Sequence, residues 1–135
     1  MADGETLFTS PSSELIQGKH TGFDVESATV TMEFVCPDTF RSPRGVCHGG
    51  YVPAFLDEVM GGAVFHASEQ KLIPLNLDCN VSYIRLVPIG PLKATGRVLK
   101  MGRNIAYIEG ELFDMDGKLL ARSTSTAMLT EIPGG

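Results

Sequence analysis

The chain has 135 residues, 43% of them hydrophobic and 20% charged, and a formal net charge of −5. That length suits one domain with a real core and is short for two; the acidic balance argues against nucleic acid as the main partner. No apolar run is long enough to suggest a transmembrane helix. Three cysteines without CxxC spacing read as free thiols. With an acidic opening that lacks the basic and apolar regions of a signal peptide, they make the cytoplasm the expected location.

Residues 1 to about 13 are polar and weakly patterned, which predicts a loose or partly helical arm to a single domain spanning 1–135. Ser12 to Ile16 suits a short helical turn ending near Gly18. Phe23 to Val35 alternates, with Val30, Met32 and Phe34 on one face and Thr29, Thr31 and Glu33 on the other, and predicts a strand. Cys36 to Arg44 is loop. A helix opens at Gly49 and runs to about 67–70. Strands are then expected over Leu75 to Val87, Leu92 to Met101, Ile105 to Phe113 and Leu119 to Leu129. Their turns are Pro88-Ile89-Gly90-Pro91, Gly102-Arg103-Asn104 and Asp114-Met115-Asp116-Gly117. One long helix among strands joined by short turns is an α+β pattern, in which an antiparallel sheet covers the apolar helix stripe.

At 100° per residue, Val52, Leu56, Val59, Met60, Ala63 and Ala67 share one stripe of that helix, with Phe55 at its edge. Asp57 lies roughly 140° round from Val52, among mostly small residues. A helix N-terminus presents unpaired N–H groups and partial positive charge, and Gly49 and Gly50 leave the approach to it open. Oxyanion donors followed two turns later by a carboxylate make a plausible acyl-transfer site. Between Cys79 and Ile108 there is no Asp or Glu, yet five of the eleven basic residues lie there: Arg85, Lys93, Arg97, Lys100 and Arg103. These are either solvated strand residues or a basic surface for a phosphorylated ligand.

Other candidates read as structural. Adjacent Cys47 and His48 side chains do not point at each other, which disfavours a Cys–His nucleophile. Cys36 and Cys79 read as small buried hydrophobes. His20 and His66 lack a partner motif, and Ser123 to Thr126 fit strand composition, with no GxSxG nearby. No His, Cys and carboxylate cluster has metal-ligand spacing, so no metal is expected.

Gly45-x-x-His48-Gly49-Gly50 with Asp57 nine residues past the histidine resembles the phenylacetate-pathway (PaaI-type) branch of the hotdog-fold acyl-CoA thioesterases. Asn80-x-Ser82-Tyr83-x-Arg85 and Lys100-x-Gly102-Arg103 extend the likeness over about residues 25 to 130. The resemblance implies a hotdog fold, with one helix wrapped by a five- or six-stranded antiparallel sheet. It implies a homodimer with sheets joined edge to edge, often paired into a homotetramer, with Gly49 of one subunit facing Asp57 of the other.

By that pattern the Gly49 N–H polarises the thioester carbonyl, Asp57 acts as nucleophile or general base, and His48 orients the loop. Ser42 stands where many relatives carry asparagine. Asn76 stands where Ser or Thr is common, and can still donate a hydrogen bond. Gly50, Tyr83, Arg85, Lys100, Arg103 and Asn104 are the substrate-binding candidates. Coenzyme A belongs to the substrate, and no separate cofactor is implied. The alternatives are a non-catalytic acyl-CoA binding protein on the same scaffold and a hydroxyacyl-thioester dehydratase.

Overall fold

The structure, a computed structural model, describes residues 10–132; the first nine residues of the expected arm lie outside that range. A short helix α1 (Pro11–Leu15) is capped by Ser10 and seats the buried Ile16 on the core. Strands β1 (Lys19–Asp24) and β2 (Thr29–Cys36) follow, then helix α2 (Val52–Ala67), then β3 (Leu72–Tyr83), β4 (Gly90–Met101), β5 (Ile105–Phe113) and β6 (Leu119–Glu131). The strands form one six-stranded antiparallel sheet in the order β1-β2-β4-β5-β6-β3, with α2 lying across its inner face. This is the hotdog arrangement.

Several boundaries differ from the sequence reading: β4 starts at Gly90, inside the expected turn, and β6 runs on to Glu131. The single strand expected over 23–35 is a hairpin that turns through Val25–Ala28, with Asp24 accepting hydrogen bonds from the backbone and hydroxyl of Ser27. The central helix opens with a 3-10 turn (Gly49–Tyr51) before the α-helix starts at Val52. Strand β3 begins ahead of Pro74 and stops at Tyr83. A proline is tolerated there because β3 is an edge strand, where an outward-facing position needs no N–H.

Packing follows the alternation closely. Val30, Met32, Phe34, Leu92, Ala94, Ile108 and Leu112 are buried against Val52, Phe55, Leu56, Val59, Met60 and Ala63 of α2. Gly62, Val64 and Phe65 are buried as well, so the helix is enclosed well beyond its expected stripe. The closest approach is at Gly96 of β4, where an added Cβ would lie 2.3 Å from the Val59 carbonyl oxygen. Gly96 pairs in register with Gly110 of β5, so two side-chain-free positions lie side by side beneath the middle of the helix. That seat fixes the height of α2 above the sheet, and with it the position of every residue on the helix's open flank.

Candidate active site

Sequence and backbone geometry build the site in two halves. In the first, the chain from Phe40 to Gly49 is pinned by backbone bonds: Cys47 donates to the Val87 carbonyl at 2.8 Å and His48 to the Phe40 carbonyl at 2.7 Å. His48 caps the 3-10 turn, its Nδ1 accepting from the Gly50 N–H at 3.0 Å. An accepting Nδ1 carries no proton, so neutral His48 holds its proton on Nε2 and presents it as a donor. Tyr83 donates its hydroxyl to the Gly49 carbonyl at 2.9 Å and so ties the turn to strand β3. Among the described residues nothing accepts from the Gly49 N–H. A free N–H in the turn that leads into a 16-residue helix, with no side chain to block the approach, is placed where an anion or oxyanion is favoured.

His48, Gly49 and Tyr83 line an open groove of about 610 Å³, together with Ser42, Val52 and Arg85. Ser42 is engaged in its own turn: its backbone exchanges bonds with Val46 and Gly45, and its hydroxyl accepts from the Arg44 N–H at 3.3 Å. Arg85 donates to the Leu119 carbonyl at 2.7 Å, which leaves only part of its guanidinium for a ligand.

The second half lies further along the helix. Asp57 is exposed on the open flank of α2, and its Oδ1 accepts from Asn76 Nδ2 at 2.6 Å. Asn76 reaches it from the inner face of β3, just before a bulge at which Asp78, not Leu77, pairs with Thr126. The bulge is held by the Asp78 carboxylate, which accepts from the Thr126 N–H at 3.0 Å, and by Ser125 Oγ, 2.8 Å from the Asp78 carbonyl and 3.0 Å from Asn76 Oδ1. Ser125 is only 3% exposed. Read as strand composition in the sequence, it proves to be a buried polar contact of the carboxylate's own partner. The available signal was the alternation Ala121, Ser123, Ser125, Ala127, which puts two hydroxyls on the core face.

The structure thus brings Asp57 and Asn76 together, and separately His48, Gly49, Gly50, Tyr83, Ser42 and Arg85. It does not join the two groups within one chain. From Gly49 to Asp57 is eight residues, about 12 Å of helical rise. Lys100 lies near the end of β4 and Arg103 and Asn104 in the turn that follows, apart from the groove around Gly49. Among the described residues Lys100 and Arg103 form no ion pair, whereas Arg97 is engaged with Glu109 at 3.1 Å on the outer face of the sheet.

The remaining titratable groups sit outside these two clusters. Burial pushes the Cys36 thiol up to about 12 and raises that of Cys47, which suits inert core thiols and not a nucleophile. Cys79 is exposed, contrary to the sequence reading, because edge strand β3 has no neighbour on one side. His20 and His66, read from the sequence as structural or surface residues, form a pair at 3.1 Å, and burial lowers His20 to about 4. Among the described residues no group of three His, Cys, Asp or Glu side chains comes together in a metal-binding arrangement, and no helix is long and apolar enough to cross a membrane.

A long helix laid across an antiparallel sheet, with a glycine-opened N-terminus and a carboxylate on its free flank, is the architecture of a hotdog protein. Residues 44–121 match the family model described as the thioesterase superfamily, and the chain belongs to that family. A Caenorhabditis elegans protein named "Putative esterase F42H10.6" is 30% identical over 114 residues, covering 82% of this chain and 67% of its own. Among solved structures, a phenylacetic acid degradation-related protein of Ralstonia eutropha, described as a "putative thioesterase", is 32% identical with a TM-score of 0.81, over 88% of this chain and 90% of that one. The Streptococcus mutans protein smu.793, solved with acetyl-CoA bound, shares the fold at 20% identity and a TM-score of 0.73, over 84% and 89% of the two chains. These matches bear out the resemblance to the PaaI-like hotdog thioesterases read from the sequence.

Proposed function

We propose that the protein hydrolyses an acyl- or aryl-CoA thioester to the free acid and CoA in the cytoplasm, with the site completed by a second copy of the chain. The observation that carries this reading is the pairing of an unengaged N–H at Gly49 with an exposed carboxylate at Asp57, held by Asn76. The thioester carbonyl oxygen accepts from Gly49 N–H, and negative charge grows on it as the carbonyl carbon becomes tetrahedral. Asp57 either attacks the carbonyl carbon, and water then hydrolyses the resulting mixed anhydride to the free acid, or takes the proton from a water that attacks directly; in both cases the C–S bond breaks and CoA leaves as a thiolate that takes up a proton. His48, with Nδ1 committed to Gly50, holds the loop and offers Nε2–H.

The need for two copies follows from distance: about 12 Å of helix separates the donor from the carboxylate. Edge strand β3 is suited to the contact, with twelve residues on an open edge and Leu75 and Leu77 each 57% exposed. Sheets joined there form a homodimer, and a second two-fold axis would double it into a homotetramer. Lys100, Arg103 and Asn104 supply a cationic and polar turn for the CoA phosphates. The acetyl-CoA bound to the Streptococcus mutans protein on the same fold supports that ligand class.

The test is thiol release over a panel of acyl- and aryl-CoA esters, with sedimentation to fix the oligomer. Turnover by a dimer or tetramer is expected. Ester binding without thiol release would instead support the binding-protein alternative, and an active monomer would remove the composite site.

A further inference from the structure

Asn76 differs from a hydroxyl residue in one chemical respect. A hydroxyl rotates to suit its neighbours, whereas an amide has a fixed donor end and a fixed acceptor end. Only one of its two orientations serves a carboxylate. With Nδ2 toward Asp57 the contact at 2.6 Å is a charge-assisted hydrogen bond; with the amide turned over, Oδ1 would face a carboxylate oxygen at that distance and repel it. Something must hold the amide the right way round.

The group in place to do so is Ser125. Its Oγ lies 3.0 Å from Asn76 Oδ1 and 2.8 Å from the Asp78 carbonyl, so one hydroxyl proton is shared between two acceptors on either side of the Leu77 bulge. Bulges of this kind re-aim a side chain next to a site. Ser125 is almost wholly buried, so bulk water does not substitute for its hydroxyl.

We propose that Ser125 is a positioning residue for thioester hydrolysis, acting through the Asn76 amide on the Asp57 carboxylate. It has this role only if Asp57 is the reacting group, as proposed above. Ser125 touches neither substrate nor reacting atoms; its hydroxyl selects the amide orientation that keeps a donor aimed at Oδ1 and so fixes the direction in which Oδ2 faces the substrate.

The test is a double-mutant cycle on thiol release, with kcat and KM measured for wild type, Ser125→Ala, Asn76→Ala and the double variant, and thermal unfolding recorded for each. Ser125→Ala is expected to lower kcat by about threefold to tenfold, the scale of one hydrogen bond, with KM within about twofold. The double variant should be no slower than Asn76→Ala. An equal further loss in both backgrounds would show that Ser125 only supports the strand, and would overturn the proposal, as would an unchanged kcat in Ser125→Ala. If Ser125→Ala does not fold, Ser125→Thr against Ser125→Cys decides the matter: threonine keeps a hydroxyl donor and should retain the rate, while the weaker thiol should lose it. Equal rates in that pair would contradict the role. Asp57→Asn, run alongside, separates the two levels: if it keeps full turnover, the catalytic reading itself fails. Its collapse combined with additive Ser125 effects would remove this proposal alone.

Discussion

Replacing Gly96 by alanine tests the helix seat that places Asp57. The new Cβ would stand 2.3 Å from the Val59 carbonyl oxygen, 2.7 Å from its carbonyl carbon and 3.2 Å from the Met60 nitrogen. All three atoms are helix backbone, so no side chain can rotate aside. Reaching ordinary contact requires α2 to rise about 1 Å from β4, opening the packing of Val59 and Met60 on the sheet. Overpacking of this kind costs about 3 kcal/mol, at the upper end of the usual range, because the strain falls on main chain. For a domain of this size that is a fall in Tm of roughly 10 °C.

Two neighbouring glycines serve as controls. At Gly110 the added Cβ would meet Ser123 Oγ at 3.0 Å and Met60 Cγ at 3.1 Å, which are side chains able to shift, so a loss of about 1 kcal/mol is expected. At Gly61 nothing lies within 4 Å, and Gly61→Ala should be neutral or stabilising by up to about 1 kcal/mol through helix propensity. Thermal unfolding by circular dichroism ranks the three. A Gly96→Ala protein that melts with Gly61→Ala would refute the account of the seat.

Two further outcomes follow from the site and its surroundings. Arg103→Ala should raise KM for CoA esters several-fold while changing kcat little, since contacts to a nucleotide tail contribute mostly uniform binding; an unchanged KM in steady-state kinetics would take Arg103 out of the CoA site. Glu58, beside Asp57 on the helix, has its carboxyl raised chiefly by burial, with the Ser13 hydroxyl opposing and the Asp57 charge adding. An acid raised on folding binds its proton more tightly folded than unfolded, so its ionisation lowers stability as pH climbs through its folded range. Glu58→Gln should therefore raise Tm at pH 8 and gain progressively less toward pH 4, and an equal gain at both pH values would contradict that reading.

Much of the fold was legible because buried strands and the helix carry their burial in their spacing. Ile105 to Phe113 falls on β5 as expected, and the helix stripe from Val52 to Ala63 is core. The first strand was not legible. Lys19–Asp24 sits at a sheet edge with most of its residues exposed, so nothing in its pattern marks it apart from the strand that follows. Cys79 was misplaced for a related reason, since apolar character in an edge strand does not imply burial.

The two halves of the site differ in the same way. His48, Gly49 and Asp57 stand out locally, as a glycine-opened helix with a lone carboxylate. The approach of Asn76 and Ser125 to one another depends on the β3–β6 register and on a one-residue bulge at Leu77, which side-chain spacing along a single strand does not encode.

Asp57 is the residue proposed to perform the chemistry. The most direct measurement is single-turnover thiol release from the best CoA ester of the panel, comparing wild type with Asp57→Asn at matched folding and oligomeric state. The substitution keeps the size of the side chain, but an amide neither attacks as a carboxylate nor takes a proton. The rate should therefore fall by about two orders of magnitude or more while the ester still binds. Release at the wild-type rate from the Asp57→Asn protein would contradict the assignment.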